Sequence, residues 1–359
     1  MAVARPFLPI LHVIASTDRR GAEIAAVELA AALEERGHPS RAVALAPGTM
    51  GGVDVPVLGP SRFAARGLRG LRRELARASV VIAHGSSTLP AVALATVGIR
   101  VPFVYRSIGD PRTWVTTPAR RVRVRAAAAR AEAVVALWRG AAVTWHDLLR
   151  VPAERITVIP NAVRAGAFRA PSAEERHVAR EALGLALDAS VVLCLGALSP
   201  EKRVDLAIRA VASLDGVTLA VVGDGPEKAR LAELAASSGP GRVRLLGPTD
   251  RPQQALAAAD VVVVPSGTEG QPAVAIEAGL SGLPVVATRV GGLPEIIDDG
   301  QTGLLVEPGD LAGLVTALRD ALDRRQELGA AAALRCRERF DLEKVVTRWE
   351  RLLDSVISS

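Results

Sequence analysis

Short runs of aliphatic and β-branched residues alternate along this chain with longer segments in which apolar residues recur every three or four positions. Runs as short and apolar as these are typical of strands buried on both faces of a parallel sheet. The segments between them have the spacing of helices that cover such a sheet. The alternation predicts repeated strand–helix–strand units and an α/β fold. The predicted strands include Leu8–Ser16, Ser79–Ala83, Val101–Tyr105, Val191–Leu195 and Val261–Val264.

Composition sets the size and the cellular setting. The chain has 359 residues, enough for two domains with full hydrophobic cores. Hydrophobic residues make up 49% of it, mostly Ala, Val and Leu, which suits Ala-rich helices on Val-rich strands. The two cysteines, Cys194 and Cys336, form no CxxC pair and no Cys/His cluster. We therefore expect a reducing cytoplasm and no disulfide framework.

No stretch of the sequence predicts a membrane span or a leader peptide. The longest charge-free stretch, Ala78–Ile99, contains His84, Gly85 and Pro90, which suit a bilayer core poorly. Pro6–Ser16 is apolar, but it is short, holds two prolines and lacks a convincing cleavage site. We interpret it as the start of the first strand.

Charge divides the chain into a basic and an acidic half. Residues 1–169 hold 24 Arg, no Lys and 11 Asp plus Glu, whereas residues 170–359 hold 20 Lys plus Arg and 27 Asp plus Glu. The basic half indicates a solvated helix face or, alternatively, contact with anionic lipid or an acidic acceptor. Nucleic acid is disfavoured because stacking aromatic residues and known motifs are missing. The arginines at helical spacing are Arg62, Arg66, Arg69, Arg73 and Arg77, opposite Leu68, Leu71 and Leu75, and a second cluster is Arg120, Arg121, Arg123 and Arg125.

One stretch, residues 266–295, carries the strongest chemical pattern. Glu269 follows a predicted strand, a helix is expected from Pro272, and Glu277 lies eight residues after Glu269. The free N–H groups of Gly270–Val274 would form an anion site at the start of that helix. A phosphate there, with a carboxylate on each side for hydroxyls, would suit a nucleotide sugar. The plain alternative is an ordinary strand–loop–helix with a charged cap and one solvated Glu.

The surrounding residues resemble a known family. Glu269-Gly270-x-Pro272, with Glu277 and then Gly282-x-Pro284-Val285-Val286, resembles the glycosyltransferases of family 4. The resemblance runs along nearly the whole chain and implies the GT-B fold, two Rossmann-like α/β domains facing across a cleft. It implies an acceptor-side domain at 1–165, with a terminal helix at 342–359 packing back on it, and a donor-binding domain at 174–341.

A second part of the resemblance is the loop around Lys202. Gly196-Ala197-Leu198-Ser199-Pro200-Glu201-Lys202-Arg203 resembles the family's donor-diphosphate loop, with Ala197 where the family often has Arg. Keeping Lys202 in an Arg-dominated chain favours a compact charge on phosphate. Gly21, at a loop–helix junction after the first strand, is a further phosphate or sugar contact.

The resemblance implies roles for these residues. Lys202 would stabilise the departing diphosphate, Glu269 would hold a sugar hydroxyl and fix the ring, and Glu277 would hold the ribose hydroxyls. The implied donor-binding set is Gly21, Lys202, Arg203, Glu269, Gly270, Gln271, Pro272, Ala273, Val274 and Glu277. Candidates on the acceptor side, all near strand ends, are His84, Arg106 and Asp110, for which a structural role is an equal alternative.

The implied activity is transfer of a sugar from a nucleotide-diphosphate donor, UDP- or GDP-linked, to a hydroxyl on a lipid-linked, polysaccharide or small-molecule acceptor. The resemblance implies retention of anomeric configuration with no cofactor and no metal, and no Asp-x-Asp pair follows a strand. A nucleotide-sugar epimerase and a non-catalytic nucleotide-sugar-binding subunit remain as alternatives. We expect a cytoplasmic protein, with peripheral contact to the inner face of the membrane as the alternative.

Overall fold

The structure is a computed structural model that describes residues 8–18, 20–49 and 52–358. The start of the predicted first strand's apolar run, from Pro6, therefore lies partly outside the described residues. The chain divides into two compact units. Unit 1 comprises residues 1–162 and 342–359, and unit 2 comprises residues 163–341. In the described part of the chain, no helix combines the length and the apolar character that crossing a membrane requires.

Unit 1 alternates strands and helices, as the apolar pattern predicts. Its strands are β1 Ile10–Ser16, β2 Ser40–Ala46, β3 Val80–His84, β4 Phe103–Ser107, β5 Ala133–Ala136 and β6 Ile156–Val158. Its helices are α1 Gly21–Glu35, α2 Ala65–Leu75, α3 Thr88–Ala95, α4 Pro111–Trp114, α5 Pro118–Ala128, α6 Arg139–Asp147 and, from the end of the chain, α15 Leu342–Ser358.

The sheet of unit 1 is parallel and has the strand order β2-β1-β3-β4-β5-β6. One face packs on α1 and α15, where Leu33, Ile82, Val104 and Trp349 share one cluster of buried residues. The other face carries a separate cluster that includes Leu71 of α2. Because both faces are covered, every residue of β3 and β4 is buried, which explains their nearly unbroken apolar sequence.

Unit 2 repeats the same alternation. Its strands are β7 Ser190–Leu195, β8 Val217–Val222, β9 Val243–Gly247, β10 Val261–Val264, β11 Val285–Thr288 and β12 Gly303–Val306. Its helices are α7 Ala173–Ala182, α8 Val204–Ala212, α9 Lys228–Ser237, α10 Pro252–Ala258, α11 Ala273–Leu280, α12 Leu293–Ile296, α13 Leu311–Asp323 and α14 Arg325–Arg339.

The sheet of unit 2 is parallel, with the order β12-β11-β10-β7-β8-β9. The chain runs outward from β7 through β8 to β9, then returns to β10 on the other side of β7 and runs outward again. This is the doubly wound order in which ligands bind where the direction reverses, outside the carboxyl ends of the two central strands. In unit 2 those strands are β7 and β10, paired through Val261 with Val192 and Val262 with Leu193.

The structure revises two expected boundaries. Residues 166–173, which lay between the two expected domains, belong to unit 2, because Phe168 is 6% exposed and packs in its core. A short 3-10 turn, Ala165–Ala167, precedes Phe168. Helix α11 begins at Ala273, so Pro272 is its N-cap rather than its first residue. The α/β fold class with two parallel sheets is confirmed.

Candidate functional site

The candidate site lies at the strand reversal of unit 2. The loop after β7 leads to a 3-10 turn, Pro200–Lys202, and the loop after β10 leads to α11. Since β7 and β10 are neighbours, their carboxyl ends bring the two loops together. The backbone N–H of Gly267 donates to the carbonyl oxygen of Glu201 at 2.8 Å, which joins the loops directly.

Lys202 and Glu269 form an ion pair across these loops. The Nζ of Lys202 lies 2.7 Å from Oε1 of Glu269. The Lys202 side chain is 30% exposed, whereas the Glu269 side chain is 7% exposed. The hydroxyl of Ser266 donates to the same oxygen, Oε1, at 2.7 Å. The two residues that the sequence singled out, from segments 67 positions apart, thus meet at one point.

The loop after β11 packs against the loop that carries Glu269. The N–H of Gly292 donates to the carbonyl oxygen of Gly270 at 2.6 Å. A Cβ on Gly291 would lie 2.2 Å from the carbonyl oxygen of Glu269, and Gly291 has a φ of +55°. Only glycine allows both this backbone conformation and this close approach.

The loop after β7 is in similarly close backbone contact with the loop after β8. A Cβ on Gly223, which follows β8, would lie 1.8 Å from the carbonyl oxygen of Gly196. The N–H of Leu198 donates to the carbonyl oxygen of Asp224 at 2.9 Å. Glycine at position 223 therefore lets the loop that leads to Lys202 pack directly on its neighbour.

The amino end of α11 adjoins the ion pair in sequence. Its N-cap, Pro272, makes no side-chain cap, and the N–H of Ala275 donates to the Pro272 carbonyl at 3.2 Å. The first N–H groups of a helix lack intrahelical acceptors and carry the positive end of its dipole. Gln271 is buried at 4% exposure, and Glu277 lies partly buried on α11. The arrangement suits an anion with hydroxyl groups nearby.

Arg203, expected as a donor contact, has a carboxylate partner. It adopts the left-handed conformation, with a φ of 48°, between the 3-10 turn and α8. Its Nε lies 3.1 Å from Oδ1 of Asp205, and Asp205 belongs to the first turn of α8. The two cations of this loop therefore have separate carboxylates.

Two acceptor-side candidates of unit 1, His84 and Arg106, meet inside the protein. Both are 3% exposed, and Nη1 of Arg106 lies 3.5 Å from Nδ1 of His84. His12 of β1, fully buried, stacks on His84 with Nδ1 3.1 Å from its Nε2. Arg106 donates to Oδ1 of Asn161 at 2.9 Å, and its guanidinium lies 5.9 Å from the centre of the Trp349 ring.

Enclosure changes the proton affinity of all three groups. Burial, and then the nearby Arg106 cation, lowers the pKa of His12 to about 3. Burial, followed by His12 and Arg106, places the pKa of His84 well below its usual value of 6.5. Burial lowers the pKa of Arg106 to about 10. Near neutral pH the cluster therefore holds two neutral imidazoles around one guanidinium cation.

The remaining candidates lie apart from this cluster. Asp110 caps α4 by accepting from the N–H of Arg112 at 2.9 Å, and the Arg112 side chain pairs with it at 2.6 Å. Gly21 is the exposed first residue of α1, whose N-cap, Arg20, makes no side-chain cap. Among the described residues, a Cβ on Gly21 would meet nothing within 4 Å.

Sequence reasoning missed two contributors. Ser266 was quoted only as the start of the motif, yet its hydroxyl is the second donor to Glu269. Its spacing of three residues from the carboxylate, on a loop after a buried strand, is the signal that was present. His12 was not among the candidates, and its pairing with His84 had no local signal because the two residues are 72 positions apart in the chain.

Comparison with known families assigns the two units separately. Residues 19–166 match the family model described as Glycosyltransferase Family 4. Residues 189–324 match the one described as Glycosyl transferases group 1. Together the two models match most of the chain.

Solved structures match the chain over almost its whole length. Anabaena Alr3699/HepE in complex with UDP has a TM-score of 0.86 at 24% identity, covering 97% of this chain and 100% of that chain. The same protein in complex with UDP-glucose has a TM-score of 0.86, covering 97% and 99%. Sucrose-phosphate synthase from Thermosynechococcus elongatus has a TM-score of 0.84 at 20% identity, covering 98% and 99%. These likenesses define the class: the chain has the GT-B fold.

Curated relatives share a higher identity over a shorter range. D-inositol 3-phosphate glycosyltransferase of Mycobacterium avium (strain 104) is 38% identical over 218 residues, covering 57% of this chain and 49% of that protein. D-inositol 3-phosphate glycosyltransferase 2 of Catenulispora acidiphila is 41% identical over 178 residues, covering 44% and 42%. The chain thus spans about half the length of the curated relatives it matches. Because one family model matches each unit, the chain belongs to the glycosyltransferases of family 4.

Proposed function

We propose that this protein is a retaining, metal-independent glycosyltransferase that moves a sugar from a nucleotide-diphosphate sugar to an acceptor hydroxyl. The observation that carries the proposal is the Lys202–Glu269 pair at the strand reversal of unit 2, next to the uncapped start of α11. A cation, a helix amino end and a carboxylate in one place match a ligand that combines a diphosphate with a sugar.

The residues take the following roles in this proposal. The ammonium of Lys202 and the N–H groups of Gly270, Gln271, Ala273 and Val274 bind the diphosphate. They stabilise the charge that develops when the bond from the anomeric carbon to the diphosphate breaks. Glu269 accepts a hydrogen bond from a sugar hydroxyl, and Glu277 accepts from the ribose hydroxyls. The acceptor oxygen forms the new bond to the anomeric carbon on the face that the diphosphate leaves.

Three comparisons support a nucleotide-sugar donor. Structures of Anabaena Alr3699/HepE hold UDP and UDP-glucose, and the curated relatives are named as glycosyltransferases that act on inositol 3-phosphate. We propose UDP or GDP as the nucleotide and a polyhydroxylated or lipid-linked acceptor. On the acceptor side, the enclosure of His84 and Arg106 supports a structural role for both. Gly21, which belongs to the predicted donor-binding set, is the exposed first residue of α1.

Donor binding to the site variants tests this function. Lys202→Ala and Glu277→Ala should each weaken binding of the nucleotide sugar by about tenfold or more, since each removes a charge-assisted hydrogen bond. Isothermal titration with UDP-glucose and GDP-mannose measures the effect. Lys228→Ala, the loss of a lysine whose side chain is 56% exposed in the same unit, is the matched control. Wild-type affinity in both site variants would overturn the assignment.

Products distinguish the proposed transferase from its two alternatives. An epimerase would convert the sugar of the donor when no acceptor is present, and product analysis with donor alone would show it. A non-catalytic subunit would bind donor but transfer nothing as a purified chain. Transfer by the purified chain to a hydroxylated acceptor supports the proposal over both.

We further propose that unit 1 contacts anionic membranes through a basic face formed by α2, α3 and α5. Helix α3 packs against both α2 and α5. Exposed arginines on or next to α2 and α5 are Arg62, Arg66, Arg69, Arg73, Arg77, Arg120, Arg121, Arg123 and Arg125. Leu94 of α3 and Val122 of α5 are also exposed, at 57% and 64%. Arginines around exposed aliphatic side chains suit an anionic lipid surface.

Vesicle binding tests the basic face. Arg121→Gln with Arg125→Gln should weaken binding to phosphatidylcholine vesicles that contain phosphatidylglycerol by about 30-fold, because each arginine contributes about 1 kcal/mol near such a surface. The matched control replaces two exposed arginines of unit 2, Arg209 and Arg251, by Gln. Equal losses in both pairs, or equal binding to neutral vesicles, would contradict a specific surface.

A further inference from the structure

Ser266 is placed to control the orientation of the Glu269 carboxylate. It is 1% exposed and lies just beyond β10, so it is part of the rigid end of the sheet. Its carbonyl oxygen accepts a hydrogen bond from Oγ1 of Thr288, on the neighbouring strand β11, at 2.5 Å. Its own hydroxyl donates to Oε1 of Glu269 at 2.7 Å. The backbone of Ser266 is therefore held by β10 and by Thr288 of β11, and its buried hydroxyl bonds to Glu269.

The two donors to Glu269 differ in the conformational freedom of their side chains. Lys202 and Ser266 both donate to Oε1, each at 2.7 Å. Lys202 reaches this oxygen through a long side chain that is 30% exposed and follows a 3-10 turn. The Ser266 side chain has one rotatable bond and is buried. An anionic ligand at the start of α11 would compete for the Lys202 ammonium, but it could not displace the serine hydroxyl.

We propose that Ser266 is a positioning residue for sugar recognition by Glu269. When a donor diphosphate draws Lys202 away, the Ser266 hydroxyl keeps Oε1 in place and so leaves the second oxygen, Oε2, to accept from a sugar hydroxyl. This inference rests on the proposed function. It divides the site into a part that binds the diphosphate, through Lys202 and α11, and a part that recognises the sugar, through Ser266 and Glu269.

Removal of the hydroxyl should therefore affect the sugar and spare the nucleotide. In Ser266→Ala, Glu269 loses its fixed donor and samples several rotamers once Lys202 has moved to phosphate. The affinity for a nucleotide sugar should fall by about tenfold, the usual effect of one hydrogen bond to a charged group. The affinity for the nucleoside diphosphate alone should stay within about twofold, because its contacts come from other residues.

The test compares two ligands on each variant, so that folding defects cancel. Isothermal titration gives the ratio of the dissociation constants of UDP-glucose and UDP, and of GDP-mannose and GDP, and the pair that the wild type binds is used throughout. Ser281→Ala is the matched control, since Ser281 is 4% exposed and lies at the other end of α11. Ser266→Thr, which keeps the hydroxyl, should restore the wild-type ratio.

Each outcome has one reading. A tenfold shift of the ratio against the nucleotide sugar in Ser266→Ala, absent in Ser281→Ala, supports the inference. An unchanged ratio, or an equal loss for both ligands, overturns it and leaves the proposed function standing. If the wild type binds none of the four ligands, the proposed function fails and this inference fails with it.

Discussion

Both units have polar residues at the carboxyl ends of their parallel strands, but these residues are partly exposed in unit 2 and enclosed in unit 1. In unit 2, Lys202 and Glu269 form a partly exposed pair at the strand reversal. In unit 1, His84 and Arg106 lie at the ends of β3 and β4 and are enclosed by protein, with neutral partners around the cation. Both pairs were candidates for ligand contact, yet the geometry supports such a role only in unit 2.

The difference follows from where each residue lies relative to its strand. His84 and Arg106 are still strand residues, so their side chains alternate across the sheet and enter the layer under the helices. Lys202 and Glu269 come several residues after their strands, on loops beyond the sheet edge. A polar residue inside a doubly covered strand is thus a poor guide to a ligand site, and a polar residue on the loop beyond it is a better one.

The largest expected effect is on the loop architecture of unit 2. Gly291→Ala places a methyl group about 2.2 Å from the carbonyl oxygen of Glu269. The Glu269 loop must move, and nucleotide-sugar affinity should fall by at least about 100-fold, since misplacing a site by about 1 Å has effects of this size. Titration calorimetry measures the loss.

A second glycine separates the clash from backbone strain. Gly309 has a φ of +85°, and a Cβ there would meet nothing within 4 Å. Gly309→Ala therefore introduces strain without the clash, and its donor affinity should stay close to wild type. Equal losses in both variants would show that strain, rather than support of the Glu269 loop, explains the requirement for glycine.

The next largest effect is the pH dependence of the stability of unit 1. His12 and His84 have folded-state pKa values lowered by burial, so unfolding lets each imidazole bind a proton. Their contribution to stability is fully present above the unfolded pKa of about 6.5 and is lost as pH falls below it. Each histidine should remove about 1.4 kcal/mol per pH unit below that value, and for His12 this continues towards about pH 3.

Tryptophan fluorescence isolates this effect. All four tryptophans, Trp114, Trp138, Trp145 and Trp349, belong to unit 1, so urea unfolding followed by their emission reports on that unit. His12→Leu with His84→Leu should flatten the dependence between about pH 7 and about pH 5. An unchanged slope in the double variant would mean that other groups of unit 1 cause the acid sensitivity.

Loss of the buried cation should have a smaller effect. Arg106→Met removes the donor to Asn161, while it also removes the unfavourable burial of an unpaired charge. We expect a net destabilisation of unit 1 by about 1–2 kcal/mol, again by tryptophan emission. Arg73→Met, the loss of an exposed arginine of α2, is the control, expected to cost less than about 0.5 kcal/mol.

The smallest effect should come from the second cation of the donor loop. Arg203 is paired with Asp205, and its side chain is 41% exposed. Arg203→Met should therefore change nucleotide-sugar affinity by less than about threefold, well below the effect of Lys202→Ala. A loss as large as that of Lys202→Ala would show that both cations bind the diphosphate and would widen the site towards α8.

The apolar pattern was sufficient to predict both sheets and most of the main strands, because strands covered on both faces need long β-branched runs. It placed the Lys202 and Glu269 loops after such runs, but the choice of these two residues also needed the resemblance to family 4. Their direct pairing was missed, as was the hydroxyl of Ser266. The Lys202–Glu269 pair joins loops 67 positions apart, which no local pattern encodes, whereas the three-residue spacing of Ser266 from Glu269 was a local signal.

Burial of the segment around Phe168 was also not predicted from the sequence. This segment lay between the two domain ranges that the resemblance implied, yet Phe168 packs in the core of unit 2. A single side chain cannot reveal from the sequence whether a matching cavity exists. The buried histidine pair of unit 1 was hidden for a related reason, because parallel pairing joins residues far apart in the chain.

The position of α15 has a consequence for how this protein is made. Val345, Val346, Trp349 and Leu353 complete the same core as strands β1, β3 and β4, although they are synthesised after the whole of unit 2. During synthesis, unit 1 therefore exposes an apolar surface until α15 has been made. Unit 2, which is continuous in sequence, can fold before then. A nascent chain that stops before residue 342 would leave this surface open to chaperones or to aggregation.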